Sequence, residues 1–144
     1  MALPIGGKVL LDTNVLIDFL RAGMHTQWVL GGHGIVVRFI SAVALLELRL
    51  GADTLKRKKA ADQIQQAFQA GRTLGLTPST LDHAGRLFRA MYGNASGLND
   101  RLGPMNDVLM ALTAREIGAT VITNNVLEFR RIAGKIPGLK VAAP

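Results

Sequence analysis

The sequence predicts an α/β protein, a three-layer α/β/α sandwich with a mainly parallel central sheet. Short apolar, β-branched runs of strand length alternate with longer segments in which apolar residues recur at helical spacing. Capping and stop residues stand at the junctions between them. Strands that follow one another through helices run parallel and are covered on both faces, because a parallel pair needs a crossover connection and a helix supplies it.

Lys8 to Asp12 reads as a short buried strand, and Thr13-Asn14 offers cap chemistry before the apolar run Val15 to Leu20, so a helix begins near residue 14. Gly23 can take the left-handed conformation that stops it. Ile35 to Ile40 is a second strand, with Ser41 capping a helix over Ala42 to Leu50 and Gly51 as its stop. Thr54 to about Ala70 has the pattern of an amphipathic surface helix. Leu74 to Thr77 is short enough for a strand, and Pro78-Ser79 opens a helix to about Tyr92, since proline is tolerated in a first turn. Gly93 to Pro104, rich in Gly and Asn, reads as a loop. Pro104 and Asn106 introduce a helix through Ile117 that Gly118 ends. Thr120 to Thr123 is a strand running into Asn124-Asn125, then come a short helix to about Ile132 and a last strand near Leu139 to Val141.

The 144 residues fit one domain over 1–144, and a hydrophobic content of 49% is ample for one core. The absence of cysteine excludes a disulfide framework, a thiolate zinc site and a cysteine nucleophile, and suits a reducing, cytoplasmic setting. Met1 to Gly7 lacks the basic start and unbroken apolar run of a signal peptide, and no stretch of ~20 apolar residues suits a membrane. With 17 Lys and Arg against 10 Asp and Glu, the net charge of +7 favours a polyanion, nucleic acid first among them.

Three acids stand where structure alone does not call for them. Asp12 ends a strand, between Val9-Leu10-Leu11 and Val15-Leu16-Ile17, where ligands of open α/β sheets bind; as an Asp it is also suited to cap a helix. Glu47 shares a helix face with Val43, Ala44, Leu50 and Gly51, at about 100° per residue, while Arg49 points the other way. Asp107 lies in the first turn of its helix on the side of Met110, Ala111 and Ala114, with Glu116 opposite, and there it also gains from the helix dipole. Capping, an ion pair and the dipole explain the acids one at a time. A hard cation explains all three together, since carboxylates that repel one another become ligands once Mg2+ or Mn2+ lies between them. His25, His33 and His83 sit in no nucleophile motif, which argues against Ser-His-Asp chemistry.

Leu-Leu-Asp-Thr-Asn-Val-Leu-Ile-Asp at 10–18 resembles the opening motif of PIN-domain ribonucleases. Ser-Ala-Val-Ala-Leu-Leu-Glu-Leu at 41–48, Gly-Pro-Met-Asn-Asp-Val-Leu-Met-Ala at 103–111 and Val-Ile-Thr-Asn-Asn-Val-Leu-Glu-Phe at 121–129 resemble the family's later motifs in order. The likeness covers essentially the whole chain, and its short length is most similar to the VapC-type toxins of toxin–antitoxin pairs. It implies a PIN-like fold and Mg2+-dependent endonucleolytic cleavage of RNA, with Mn2+ able to substitute. Asp12, Glu47 and Asp107 would be metal ligands and Asn125 a fourth site residue; Thr13, Asn14 and Thr123 would orient the cluster, and Arg130 and Arg131 would reach a phosphate. Many family members carry Asp where this chain has Asn125, so Asn125 and Glu128 compete for the fourth corner. The resemblance also implies a separately encoded antitoxin and a homodimer.

Two other classes fit parts of the sequence. One is a PIN-like RNA-binding regulator without turnover, to which Asn125 points. The other is a phosphate-binding α/β protein, but Gly31-Gly32-His33-Gly34 precedes a strand and does not link strand to helix, so it reads as a turn. Lys56 to Lys59 reads as a solvated helix face, and with 5% aromatic residues and Tyr92 isolated in sequence, an electrostatic groove is expected over a stacking platform.

Overall fold

The structure, a computed structural model, describes residues 7–31, 34, 36–68, 71–93 and 102–144. Outside them lie nearly all of the N-terminal stretch to Gly7, the middle of the glycine turn at 31–34, Ile35, the end of the helix expected over 54–70 and most of the loop expected over 93–104.

The elements run β1 (Lys8–Leu11), α1 (Thr13–Ala22), α2 (Thr26–Leu30), β2 (Val37–Ser41), α3 (Ala42–Leu50), α4 (Leu55–Ala67), β3 (Thr73–Leu74), α5 (Pro78–Tyr92), α6 (Leu102–Ile117), β4 (Thr120–Ile122), α7 (Val126–Ala133) and β5 (Lys140–Ala142). Val9, Leu10 and Leu11 of β1 are all buried, as are all three residues of β4. Strands covered on both faces have no solvent side to alternate with, which is why they read as continuous apolar runs.

The sheet order is β3-β2-β1-β4-β5, and every neighbouring pair is parallel. Leu10 sits opposite Phe39 on one side and Val121 on the other. The chain builds outward from β1 through β2 to β3, then returns to the far side of β1 to lay down β4 and β5. β1 and β4 are therefore adjacent strands whose connections leave in opposite directions, and a crevice opens outside their carboxyl ends. Helices flank the sheet: α1 packs on α3 and α4, α5 on α6, and α6 on β1 and β4.

The expected cap at Ser41 and stop at Gly23 form: Ser41 Oγ accepts the Val43 N–H at 3.1 Å, and Gly23 takes φ 66° after α1. Thr54 and Thr77 add caps that were not foreseen, each accepting the N–H three residues on. Four details differ from the sequence expectation. α2 was not foreseen: its five residues are too few for a periodic signal, and it forms where Trp28 and Val29 are buried. β3 is Thr73–Leu74 and not Leu74 to Thr77, because it pairs only with the end of β2. α6 starts at Leu102, two residues ahead of Pro104, which sits in the first turn where its missing donor costs nothing. Leu50 is 77% exposed at the last residue of α3, so the packed side of that helix is Val43, Ala44 and Leu48.

Arg38 of β2 ties two helix ends to the sheet. Its guanidinium donates to the carbonyls of Trp28 (2.9 Å), Val29 (2.7 Å) and Ala67 (3.4 Å), at the C-terminal ends of α2 and α4, and lies 4.6 Å above the Phe68 ring centre. Carbonyls at helix ends have no partner inside their helix, so one half-buried cation satisfies several. Among the described residues, no helix is long and apolar enough to cross a membrane.

Candidate active site

Asp12 follows β1 directly, its N–H extending the ladder to Ile122 O at 2.9 Å. It is 3% exposed. Its Oδ1 accepts the Thr13 N–H and its Oδ2 the Thr123 hydroxyl, both at 2.7 Å. It is formally the N-cap of α1, but its side chain meets the first N–H of the helix and not the second or third that a cap normally satisfies. Burial pushes its pKa up to about 6 against the two hydrogen bonds, and the nearby Glu47 adds to the rise.

Thr123 organises this corner. Its hydroxyl donates to Asp12 and accepts from the Asn125 N–H (2.9 Å) and from Asn14 Nδ2 (3.3 Å). The end of β4 and the start of α1 are thereby joined through one oxygen. Asn14 Oδ1 in turn accepts the Asn124 N–H at 3.2 Å. Thr13, also buried, donates to Glu47 Oε1 at 2.9 Å and brings α3 to the same crevice.

Asp107 reaches the crevice from α6. Because that helix starts at Leu102, Asp107 is in its second turn, and the expected first-turn dipole contact does not apply. Met110, Ala111 and Ala114 pack inward as expected. Glu116 is exposed, yet it accepts the Thr80 hydroxyl at 2.5 Å and so joins α6 to α5. No hydrogen-bond donor meets the Asp107 carboxylate among the described residues. Burial, then repulsion from Asp12 and Glu47, raises its pKa to about 7.

Asp12, Glu47 and Asp107 line a cavity of about 380 Å3 together with Thr13, Asn14, Asp18 and Arg21. A larger cleft of about 740 Å3 shares Glu47 and Asp107 and continues to Tyr92, Asn125, Leu127, Glu128 and Arg131. The sequence-predicted residues Asp12, Thr13, Asn14, Glu47, Asp107, Asn125 and Arg131 thus line one continuous depression, with buried Thr123 beneath it. Arg130 lines neither part; on α7 the cleft side belongs to Leu127, Glu128 and Arg131. Lys56, Lys58 and Lys59 lie exposed on α4, away from the cleft.

Sequence reasoning missed the wall residues Asp18, Arg21 and Tyr92. Asp18, one helical turn after Asn14, accepts from Asn124 Nδ2 at 2.5 Å and sits 3.2 Å from His25 Nε2; its spacing from Asn14 was the available signal. Tyr92 is isolated in sequence but sits on the cleft wall beside Arg131 and Glu128, and no sequence signal pairs residues so far apart. Arg131 holds the Glu128 carboxyl below its usual range.

Among the described residues no three acids stand close enough to form a ready-made ligand cage. The donor set nevertheless fits a hard divalent cation. Its members are all carboxylate oxygens, burial and then mutual repulsion raise the pKa of two of them, and such an ion commonly retains waters and uses few protein ligands.

No curated protein sequence matches the chain. The fold recurs in solved structures: FitAB bound to an IR36 DNA fragment (22% identity, 94% of each chain, TM-score 0.63) and VapBC2 from Rickettsia felis bound to a promoter DNA fragment (21%, 95% of this chain and 98% of that one, 0.63). DNA-bound VapBC from Salmonella typhimurium is similar at 24% identity over 95% and 98% of the two chains, with a TM-score of 0.62. A family profile described as the PIN domain matches residues 9–135, from β1 through α7, and so takes in all four motifs and the whole acidic crevice. The chain belongs to the PIN-domain family.

Proposed function

We propose that residues 1–144 act as a single divalent-metal-dependent endoribonuclease domain, the toxin of a toxin–antitoxin pair, using Mg2+ with Mn2+ as a substitute. The observation that carries this reading is a charge imbalance. Asp12 and Asp107, with Glu47 beside them, are drawn together at the carboxyl ends of β1 and β4, and although Arg21 lines the same cavity, no ion pair joins any of the three to a cation among the described residues. Buried like charges of this kind are unfavourable unless a ligand uses them.

Asp12, Glu47 and Asp107 would hold the ion, and the hydroxyls of Thr123 and Thr13 fix the carboxylates of Asp12 and Glu47 by donating to one oxygen of each. When bound, a divalent ion lowers the pKa of water and stabilises negative charge on a phosphoryl group and its leaving oxygen. In the proposed reaction water would attack phosphorus in line and give up a proton as the bond to the 3′-oxygen breaks, and that oxygen would take a proton from solvent, leaving a 5′-phosphate and a 3′-hydroxyl. The chain's part is orientation: the acids fix where phosphorus is attacked, Asn125 contributes an amide at the rim, and the net charge of +7 draws in the strand. This chemistry requires no side-chain nucleophile.

The FitAB and VapBC structures are complexes bound to DNA. The lack of cysteine and the resemblance to VapC-type toxins support the further reading that this chain works in the cytoplasm, as a homodimer, against an antitoxin that covers the cleft. The test is incubation of purified protein with RNA and Mg2+ or Mn2+. Cleavage that stops with EDTA and in Asp12→Asn supports the reading; cleavage that persists in either points to another nuclease in the sample. Intact RNA in every arm favours a binding protein without turnover.

A further inference from the structure

Glu128 is one of two candidates for the fourth corner of the acidic site, and its hydrogen bonds show it already engaged. Its Oε1 accepts from Arg131 Nη2 at 2.9 Å and from the Tyr92 hydroxyl at 3.2 Å, and its Oε2 faces Arg131 Nε at 3.3 Å. Arg131 Nη2 also donates to the Tyr92 hydroxyl, and the guanidinium carbon lies 4.9 Å from the Tyr92 ring centre. The Tyr92 ring packs on Phe88 at 4.6 Å between centroids, and Phe88 is buried, so the cradle is anchored to the core. A partly exposed pair one helical turn apart contributes little to stability, which leaves the arrangement without a sufficient structural reason.

The geometry of the guanidinium supplies a reason. Nε and Nη2 are used by Glu128 and Tyr92, while among the described residues Nη1 has no protein acceptor, and the side chain is half exposed in the cleft that Asp107 and Glu47 also line. A planar guanidinium seated on an aromatic ring with one edge free is suited to a phosphate oxygen.

Resting on the ribonuclease reading above, we propose that Glu128 is not a metal ligand but a positioning residue: with Tyr92 it aims Arg131 at an RNA phosphate next to the scissile one. The cleft then has two electrostatic halves, acids that await a cation and a held cation that awaits an anion.

The test combines Mn2+ titration calorimetry of RNA-free protein with steady-state cleavage of a fluorescent single-stranded oligoribonucleotide at several KCl concentrations. Arg131→Gln raises KM about tenfold with kcat little changed, and flattens the salt dependence of kcat/KM by about one ion. Arg131→Lys, which keeps the charge but loses the seat, falls between wild type and Arg131→Gln. Glu128→Gln raises KM in the same direction and leaves Mn2+ affinity within about twofold, whereas Asp107→Asn lowers that affinity at least about tenfold. Glu128→Gln losing Mn2+ as Asp107→Asn does overturns the proposal, and so does an Arg131→Gln protein with wild-type KM and salt dependence. A wild-type protein that takes up no Mn2+ and cuts no RNA overturns the ribonuclease reading itself.

Discussion

The acidic crevice and the Arg38 junction both bury charge, and they treat it in opposite ways. At Arg38 the fold supplies three carbonyl acceptors and an aromatic face, so the half-buried cation is solvated by protein and serves to join α2 and α4 to the sheet. At Asp12 and Asp107 the fold supplies hydroxyl and amide donors to the first and none among the described residues to the second, and repulsion between the acids remains. A buried charge with its partners built in is a structural device. One left uncompensated, facing a cleft, is a place for something that comes from outside.

The sharpest way to break this contrast is to neutralise one acid. Asp107→Asn lowers the initial rate of RNA cleavage by roughly 10²–10³-fold, the scale of losing one preorganised electrostatic group, while the metal-free protein resists urea at pH 8 at least as well as wild type. A loss of both activity and metal-free stability would place Asp107 with Arg38 as a structural group.

The pH dependence comes next. The folded-state pKa of Asp12, about 6, lies above its ordinary 3.8, so the native state binds more protons between these values. Stability of the metal-free protein is therefore fully present below about pH 4 and lost as pH rises through 6, by ~3 kcal/mol at about 1.4 kcal/mol per tenfold. Asp107, raised to about 7, extends the fall in the same direction. Urea unfolding across pH 4–8 in EDTA checks the slope, and saturating Mg2+ flattens it at neutral pH; a rise of metal-free stability over this range would contradict the assigned burial.

Arg38→Met tests the other side. It removes charge-assisted hydrogen bonds to helix-end carbonyls and is expected to destabilise the fold by about 1.5–3 kcal/mol, with Mn2+ affinity unchanged by calorimetry. Thr123→Val gives the smallest effect, about a tenfold loss of metal affinity, because Asp12 keeps its carboxylate but loses the hydroxyl that orients it. Unaltered affinity would mean that Thr123 only joins β4 to α1.

Much of the site was legible along the chain because its signals are local. Asp12 follows three apolar residues and Glu47 and Asp107 sit one or two turns into apolar helices, so strand ends and helix faces could be read from neighbours in sequence. The choice between Asn125 and Glu128 was not legible. The proposed assignment rests on Tyr92, which lies 36 residues from Glu128 and 39 from Arg131, and nothing in the local pattern of α5 announces that its last residue faces α7. Arg130 and Arg131 are equivalent as sequence, and the rotation of a single short helix separates them.

The sequence by itself therefore determined the alternation of strands and helices, their caps, and the three acids delivered to strand ends and helix faces, since these follow from periodicity and backbone chemistry over a few residues. The tertiary structure decided which strands became neighbours, that β1 and β4 would open the crevice between them, and which charges would find partners. Those outcomes depend on contacts between distant segments, and only packing brings such segments within the range of a hydrogen bond.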